Sequence, residues 1–204
     1  MNHLNNLKLL KELLMNSSNE KNKLRAIWKI KRSKLFYNLL ENNTELFLEN
    51  FISFAGDLKD KIVAGYNPIG SEVNCLGILE YALSAGALTS LPYVNKNNII
   101  EFREWTNGDE LKPDNLKILS PSKSKILVPD IILIPLLSFD LNGNRLGMGG
   151  GIYDRTLPFF ELSDKFGLAF TGQQTNQVYR EDHDFPIDGV ITEKAVIIFK
   201  GKKI

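Results

Sequence analysis

The feature that most constrains the fold is an uninterrupted apolar run, Ile131-Ile132-Leu133-Ile134, in the second half of the chain. A strand that is apolar on both faces has to be covered on both, which is typical of a central strand in a parallel sheet. Further strand patterns occur at residues 61–66, 87–91, 98–103, 166–170 and 196–199. Helical patterns occur at residues 4–14, 20–41, 44–55 and 72–84. This alternation predicts an α/β three-layer sandwich, Rossmann-like, with a mainly parallel central sheet.

Two segments interrupt the alternation. Residues 16–19, Asn-Ser-Ser-Asn, favour turns and caps and predict a break between two helices. We therefore expect a helical extension over residues 1–19 and a single α/β domain over residues 20–204. Residues 109–124 contain Pro113 and Pro121 and are predicted to form an irregular excursion.

Composition excludes several classes of protein. The net charge is +1 and the pI about 7.7, so no overall field draws the chain to nucleic acid or to an anionic membrane. Cys75 is the only cysteine, which excludes an intrachain disulfide and a multi-cysteine zinc site and predicts a small core residue. No apolar run approaches the roughly 20 residues of a membrane helix. We expect a monomeric, cytoplasmic protein that binds small molecules.

A glycine-rich segment, Asn144-Arg-Leu-Gly-Met-Gly-Gly-Gly-Ile-Tyr-Asp-Arg155, is the strongest candidate for a binding site. Glycine lets backbone amides approach a ligand, and arginine offers paired donors to anionic oxygens. The segment matches neither the P-loop pattern nor the dinucleotide-binding pattern. Its composition is equally compatible with a phosphate-binding loop and with a structural turn.

Three further segments carry candidate groups, each with a simpler alternative. Glu72 stands near a predicted helix start, where it either caps the helix or accepts hydrogen bonds from a heterocyclic substrate. Residues 180–188 hold four carboxylates around His183; Asp184 and Asp154 either share a magnesium ion or belong to solvated loops.

The third segment, residues 21–34, holds seven basic residues and no acid. It is either a solvated helix face, or Lys21 and Arg25 reach the phosphates of a nucleotide. RNA binding would use the same charges, but the segment does not show the interleaving of aromatic and basic residues that is typical of a single-strand platform.

Taken together and in this order, the segments resemble the 5-formyltetrahydrofolate cyclo-ligase family, also called methenyltetrahydrofolate synthetases, from Lys21 to the C terminus. The resemblance rests on residues 139–157 above all, and also on Lys23-Leu24-Arg25, Pro68-x-Gly70-Ser71-Glu72-Val73 and His183-Asp184-x-Pro186-x-Asp188. Ile152 stands where the family often has an aromatic residue, and Asn74 stands where aspartate is common.

The resemblance implies a fold related to sugar-phosphate isomerases and coenzyme A transferases. It also implies ATP- and magnesium-dependent conversion of 5-formyltetrahydrofolate to 5,10-methenyltetrahydrofolate, with release of ADP and phosphate. Arg145 and Tyr153 would be catalytic, and Asp154 and Asp184 would bind Mg²⁺. ATP would contact Lys21, Asn22, Lys23, Leu24, Arg25, Arg145, Leu146, Gly147, Met148, Gly149, Gly150, Gly151, Ile152 and Tyr153. The folate would contact Tyr66, Asn67, Glu72, Met148, Gly149, Gly150, Gly151 and Ile152.

Two other functions are compatible with the same patterns. One is a sugar-phosphate isomerase or coenzyme A transferase, which would bind phosphate without hydrolysing ATP. The other is an RNA- or nucleotide-binding regulator that uses the basic helix.

Overall fold

A computed structural model describes residues 2–38 and 43–199, with side chains for residues 20–38 and 45–199. The helices are α1 Asn2–Asn38, α2 Asn43–Ala55, α3 Leu76–Ser84 and α4 Ile152–Thr156, with short 3-10 helices at Leu157–Phe159 and Thr171–Gln173. The strands are β1 Ile62–Ala64, β2 Leu88–Val94, β3 Ile100–Glu104, β4 Leu111–Pro113, β5 Leu119–Pro121, β6 Ile131–Pro135, β7 Ser138–Phe139, β8 Arg145–Leu146, β9 Asp164–Leu168, β10 Gly189–Ile191 and β11 Val196–Ile198.

Within these residues, seven strands form the main sheet in the order β11-β10-β9-β6-β1-β2-β3. The inner pairings are parallel, and the edge strands β3 and β11 run antiparallel to their neighbours. The apolar run of β6 lies at the centre, between β1 and β9. The predicted α/β class with a mainly parallel sheet is therefore confirmed.

The two faces of β6 explain its apolar sequence. Leu133 packs into a core with Phe47 and Phe51 of α2 and the apolar face of α3. Ile132 and Ile134 point the other way, into a second core that contains Leu157 and Phe139. Because side chains alternate along a strand and both faces are buried, a polar residue has no place in this run.

The predicted break at residues 16–19 is wrong, because α1 continues through it to Asn38. Asparagine and serine cost at most about 0.7 kcal/mol each inside a helix, so four of them without glycine or proline do not end one. The predicted end of this helix near residue 41 lies outside the described residues. Whether residues 1–19 form an extension separate from the domain stays a prediction.

Three other elements differ from the sequence prediction. The helix predicted from residue 72 begins at Leu76. The predicted excursion at residues 109–124 contains a two-stranded hairpin of β4 and β5. The sequence did not predict strand β10, because it has only three residues and starts with a glycine. The structure requires glycine at residue 189, since a Cβ there would lie 2.6 Å from the Phe166 ring.

None of the helices in the described part of the chain is long and apolar enough to span a bilayer.

Candidate functional site

A cavity of about 590 Å³ opens where the central parallel strands end. Tyr66 follows β1, Val94 ends β2 and Pro135 ends β6, and all three line the cavity. Ligands of open α/β sheets gather beyond these carboxyl ends, because the connecting loops diverge there. The cavity is therefore the candidate functional site.

The glycine-rich segment forms one wall of this cavity. It includes β8, which pairs with β7 in a small hairpin, and all residues from Gly147 to Asp154 line the cavity. Gly149 has φ +102° and Gly151 has φ +62°, a region that other residues rarely adopt. A Cβ at Gly149 would also lie 3.2 Å from the guanidinium of Arg25, so glycine lets the loop and α1 meet closely.

Arg145 and Asp154 form an ion pair beside the glycine-rich wall. Nη2 of Arg145 donates to Oδ1 of Asp154 at 2.6 Å, and Nη1 donates to the carbonyl oxygen of Phe185. The same Oδ1 also accepts the amide of Phe185 at 3.1 Å. The pair thus connects the glycine-rich segment to the acidic loop before β10.

Lys21 of α1 reaches the same acidic loop. Its Nζ donates to Glu181 Oε2 and to Asp184 Oδ2, both at 2.8 Å. Burial opposes ionisation of Asp184, but hydrogen bonds from Lys21 and from the amide of Glu181 outweigh it and lower the pKa of that carboxyl. Glu181, Asp184 and the exposed His183 bring three ligand atoms within 4.8 Å of one another.

A second ion pair, between Arg32 of α1 and Glu72, is more deeply buried. Nη1 of Arg32 lies 3.5 Å from Oε1 of Glu72, and the two side chains are 6% and 8% exposed. Oε2 of Glu72 accepts the amide of Ile69 at 2.9 Å. Burial nevertheless raises the pKa of Glu72 above its usual value, against the effects of Ile69 and Arg32. Since α3 begins four residues later, the helix-cap interpretation of Glu72 is wrong.

Three protonated groups interact electrostatically with Glu72. The Tyr66 hydroxyl donates to the carbonyl of Val73 at 2.7 Å, and burial raises its pKa well above the usual value. Burial also raises the pKa of Tyr153, and it raises the pKa of the Cys75 thiol to about 12. All three are therefore neutral near pH 7, and Cys75 is the core residue that the sequence predicts.

An apolar part of the cavity is formed by β2, β3 and the β4–β5 hairpin. It is lined by Pro92, Val94, Ile100, Leu116, Ile118 and Leu119. Asp114 shapes the hairpin, because its carboxylate accepts the amides of Val94, Leu116 and Ile118 at 2.8 to 3.0 Å. Apolar surface with a few oriented polar groups is typical of a small-molecule site.

Comparison with known proteins identifies the family. The model of the 5-formyltetrahydrofolate cyclo-ligase family matches residues 17–193. The chain belongs to this family. The Escherichia coli 5-formyltetrahydrofolate cyclo-ligase is 31% identical over 144 residues, which cover 66% of this chain and 79% of that protein. A probable cyclo-ligase of Caenorhabditis elegans is 27% identical and covers 88% of this chain and 95% of its own length.

A solved structure agrees with the family assignment. The NMR structure of 5,10-methenyltetrahydrofolate synthetase from Aquifex aeolicus has a TM-score of 0.77 and 29% identity, and covers 90% of this chain and 95% of its own. The chain is therefore a ligase of folate one-carbon chemistry, and ATP is the cosubstrate that a cyclo-ligase implies.

Most of the expected site residues of this cyclo-ligase line the cavity together. They are Lys21, Asn22, Arg25, Tyr66, Asn67, Glu72, Arg145, Leu146, Gly147, Met148, Gly149, Gly150, Gly151, Ile152, Tyr153, Asp154 and Asp184. Lys23 and Leu24 do not line it. Lys23 is exposed and pairs with Glu20 at 2.9 Å, whereas Leu24 packs against the cluster around Trp28.

The structure also adds residues that sequence reasoning missed. Arg32 is one of the seven basic residues of residues 21–34, and its sequence context does not distinguish it from the others, yet it is 5% exposed and pairs with Glu72. The solvated-face alternative is thus wrong for Lys21 and Arg32, while Lys29 and Lys31 are exposed. Asp114 gave no signal, because its contacts depend on a hairpin that the sequence did not predict.

Proposed function

We propose that the cavity is where this cyclo-ligase converts 5-formyltetrahydrofolate to 5,10-methenyltetrahydrofolate, with ATP consumed and ADP and phosphate released. The observation that carries the proposal is that one cavity combines a glycine-rich loop and cationic side chains with a buried carboxylate and apolar surface. The glycine-rich loop and the cations suit a polyphosphate, and the buried carboxylate and the apolar surface suit an uncharged heterocycle with amino groups.

The ATP-binding part consists of Lys21, Asn22, Arg25 and the loop of residues 145–153. Arg145 has five N–H donors, of which its contacts with Asp154 and Phe185 use two, so donors remain for phosphoryl oxygens. Lys21 is a point charge that exchanges partners easily, and phosphate oxygens can replace carboxylate oxygens as its acceptors. Lys23 and Leu24 are left out of this assignment, because they point away from the cavity.

The folate-binding part consists of Glu72, Tyr66, Asn67, the 148–152 segment and the apolar surface. A carboxylate offers about four lone-pair positions. The amide of Ile69 uses one on Oε2 of Glu72, and Arg32 lies 3.5 Å from Oε1, so each oxygen can accept a further hydrogen bond from the amino groups of the pterin. The apolar side chains would then cover the rings, and Ile152 would supply aliphatic rather than aromatic contact.

The reaction needs the formyl oxygen to become a leaving group. In the proposed sequence, this oxygen attacks the γ-phosphorus of ATP and ADP departs. N10 then attacks the formyl carbon and loses its proton to solvent, and the carbon–oxygen bond breaks as phosphate leaves, which produces the methenyl bridge. Arg145 and the loop amides stabilise the charge on the phosphoryl oxygens, and the neutral Tyr153 hydroxyl donates a hydrogen bond to the reacting groups.

Magnesium fits the side chains present, because Asp154, Glu181 and Asp184 offer carboxylate oxygens beside the phosphate-binding loop. In the structure described here, Oδ2 of Asp154 accepts no hydrogen bond, while Oδ1 is used by Arg145 and Phe185. Asp154 and Asp184 would hold the ion, which when bound neutralises charge between the phosphates of ATP.

The test is the growth of methenyl absorbance in the near ultraviolet after 5-formyltetrahydrofolate and MgATP are mixed with the purified protein. Arg145→Ala should lower the rate about a thousandfold, as loss of a phosphate-clamping arginine does elsewhere. Arg180→Ala is the matched control, because Arg180 is an exposed neighbour of the acidic loop outside the cavity. An Arg145→Ala enzyme with unchanged turnover, or absorbance growth without ATP, would refute the assignment.

The metal pair has its own test. Asp154→Asn and Asp184→Asn should each raise the magnesium concentration for half-maximal rate, and each should weaken equilibrium binding of Mn²⁺ to the ATP complex. If only one substitution has these effects, the two carboxylates do not share an ion.

A further inference from the structure

Arg32 is a buried cation that the proposed reaction has not used. Its Nε donates to Ser71 Oγ at 3.2 Å, and its Nη1 donates to the carbonyl of Leu136 at 3.3 Å and lies 3.5 Å from Glu72 Oε1. Arg32 itself does not line the cavity, whereas Glu72 does. The guanidinium thus contacts Glu72 without itself lining the cavity.

Stability alone is a poor reason for such a pair. Two buried charges lose hydration that their attraction repays only partly, so apolar residues of similar size often serve as well. The three contacts of Arg32 instead connect α1, the end of β6 and the loop that carries Glu72. This arrangement fixes the position of one carboxylate relative to the cavity.

We propose that Arg32 is a positioning residue for the folate site, which holds the Glu72 carboxylate ionised and oriented so that its remaining lone pairs face the substrate. The inference rests on the proposed role of Glu72 in folate binding. It adds that Arg32 allows the buried Glu72 carboxylate to accept two hydrogen bonds from the substrate near neutral pH.

The charges around Glu72 support this assignment. It is faced by Arg32 from α1, Tyr66 after β1, Cys75 before α3 and Tyr153 from α4. The two phenols and the thiol are neutral near pH 7 because burial raises their pKa values. Arg32 therefore supplies the positive charge that opposes the effect of burial on Glu72.

The orientation depends on the planar guanidinium. An arginine presents several donors in a fixed fork, whereas a lysine ammonium is a compact charge without that geometry. Arg32→Lys should therefore keep part of the charge effect and lose part of the orientation. Arg32→Met should lose both.

The experiment measures KM for 5-formyltetrahydrofolate and for ATP in Arg32→Met, Arg32→Lys, Glu72→Gln and the double variant Arg32→Met/Glu72→Gln. Arg32→Met should raise the folate KM about tenfold or more, with the ATP KM within about twofold. Arg32→Lys should fall between wild type and Arg32→Met. The rise of folate kcat/KM with pH should move to higher pH in Arg32→Met, because Glu72 then ionises less readily.

The double variant separates positioning from general support of the fold. If Arg32 acts through Glu72, Arg32→Met adds nothing to the folate KM once residue 72 is glutamine. Arg32→Met alone could be too unstable to purify, since it leaves a buried carboxylate unpaired. In that case Arg32→Lys shows the effect with Glu72 present, and the double variant, which buries no unpaired charge, shows the effect with glutamine at residue 72. Ser33→Ala and Lys29→Met are controls that remove a neighbouring hydrogen bond to Ser71 and an exposed charge of α1.

Two outcomes overturn different claims. If Arg32→Met raises the folate KM by the same factor whether residue 72 is glutamate or glutamine, or if the pH profile is unchanged, then Arg32 has a structural role. That outcome refutes the inference and leaves the proposed role of Glu72 intact. An unchanged folate KM in Glu72→Gln would instead refute the proposed role of Glu72 and the inference with it.

Discussion

Two carboxylates of the cavity are paired with cations from the same helix, α1, yet their pKa values move in opposite directions. Asp184 lies 2.8 Å from Lys21, and its pKa is lowered. Glu72 lies 3.5 Å from Arg32, and its pKa is raised. The exposed fractions of the two carboxylate side chains are 22% and 8%.

The difference shows that an ion pair does not by itself keep a carboxyl ionised. Burial opposes ionisation in both pairs, and the balance depends on how closely the donors approach. Asp184 has a short contact with Lys21 and a 2.7 Å hydrogen bond from the amide of Glu181, which together outweigh its partial burial. Glu72 is more deeply buried and its cation is farther away, so the effect of burial on its pKa outweighs the effect of Arg32. The proposed phosphate side is therefore firmly charged, whereas the charge of the proposed folate side is more easily lost.

The largest expected effect is on stability. Arg32→Met should lower the free energy of unfolding by about 3 kcal/mol at pH 8, because it leaves a buried carboxylate without a partner. Lys21→Met should cost only about 1 kcal/mol, since Glu181 and Asp184 are partly exposed and can be hydrated. Urea unfolding of both variants measures the difference. Equal losses would mean that the two pairs do not differ in burial as the structure indicates.

The next effect is on substrate binding. Lys21→Met should raise the ATP KM about tenfold and leave the folate KM within about twofold, because a charge-assisted hydrogen bond to phosphate is lost. Glu72→Gln should do the reverse. Steady-state kinetics with each substrate varied in turn decides the matter. If either variant raises both KM values equally, the division of the cavity into two parts is wrong.

The sequence predicted the fold well where one physical signal was enough. The apolar run of residues 131–134 predicted the central strand β6, and the helical pattern of residues 44–55 predicted α2. It predicted poorly where the local signal is weak: asparagine and serine at residues 16–19 do not end α1, and β10 is too short to show a period.

The residues of the candidate site also fall into two groups, those that the sequence indicated and those that only the structure identifies. The glycine-rich segment stood out by its composition, whereas the residues alone left Glu72 and Asp184 with simpler alternatives and the family resemblance pointed to them; all of them line the cavity. Arg32 and Lys21 belong to one run of basic residues along a helix, and the sequence does not tell which of these turn inward. That depends on the acidic loop and on Glu72, which are distant in sequence but adjacent in the fold.

A smaller effect is the opposite pH dependence of the two carboxyls. The folded-state pKa of Asp184 is lowered, so its stabilisation is present above the unfolded-state pKa and is lost as the pH falls through the folded-state value. The pKa of Glu72 is raised, so its contribution is complete below the unfolded-state pKa and is lost as the pH rises through the folded-state value.

Urea unfolding from pH 3 to 8 should show both trends. The stability of wild type relative to Asp184→Asn should increase with pH, and its stability relative to Glu72→Gln should decrease. Slopes of the same sign would contradict the contrast between the two pairs.

The smallest expected effect concerns Lys23, a basic residue of α1 that pairs with neither carboxylate. Its ion pair with Glu20 is exposed and three residues apart on the helix, so Lys23→Ala should change stability by about 0.2–0.5 kcal/mol. Because the side chain points away from the cavity, the ATP KM should stay within about twofold, in contrast to Lys21→Met two residues earlier. A tenfold rise in the ATP KM of Lys23→Ala would show that α1 presents a different face to the nucleotide, and the pairing of Lys21 with Asp184 would then lose its significance for ATP binding.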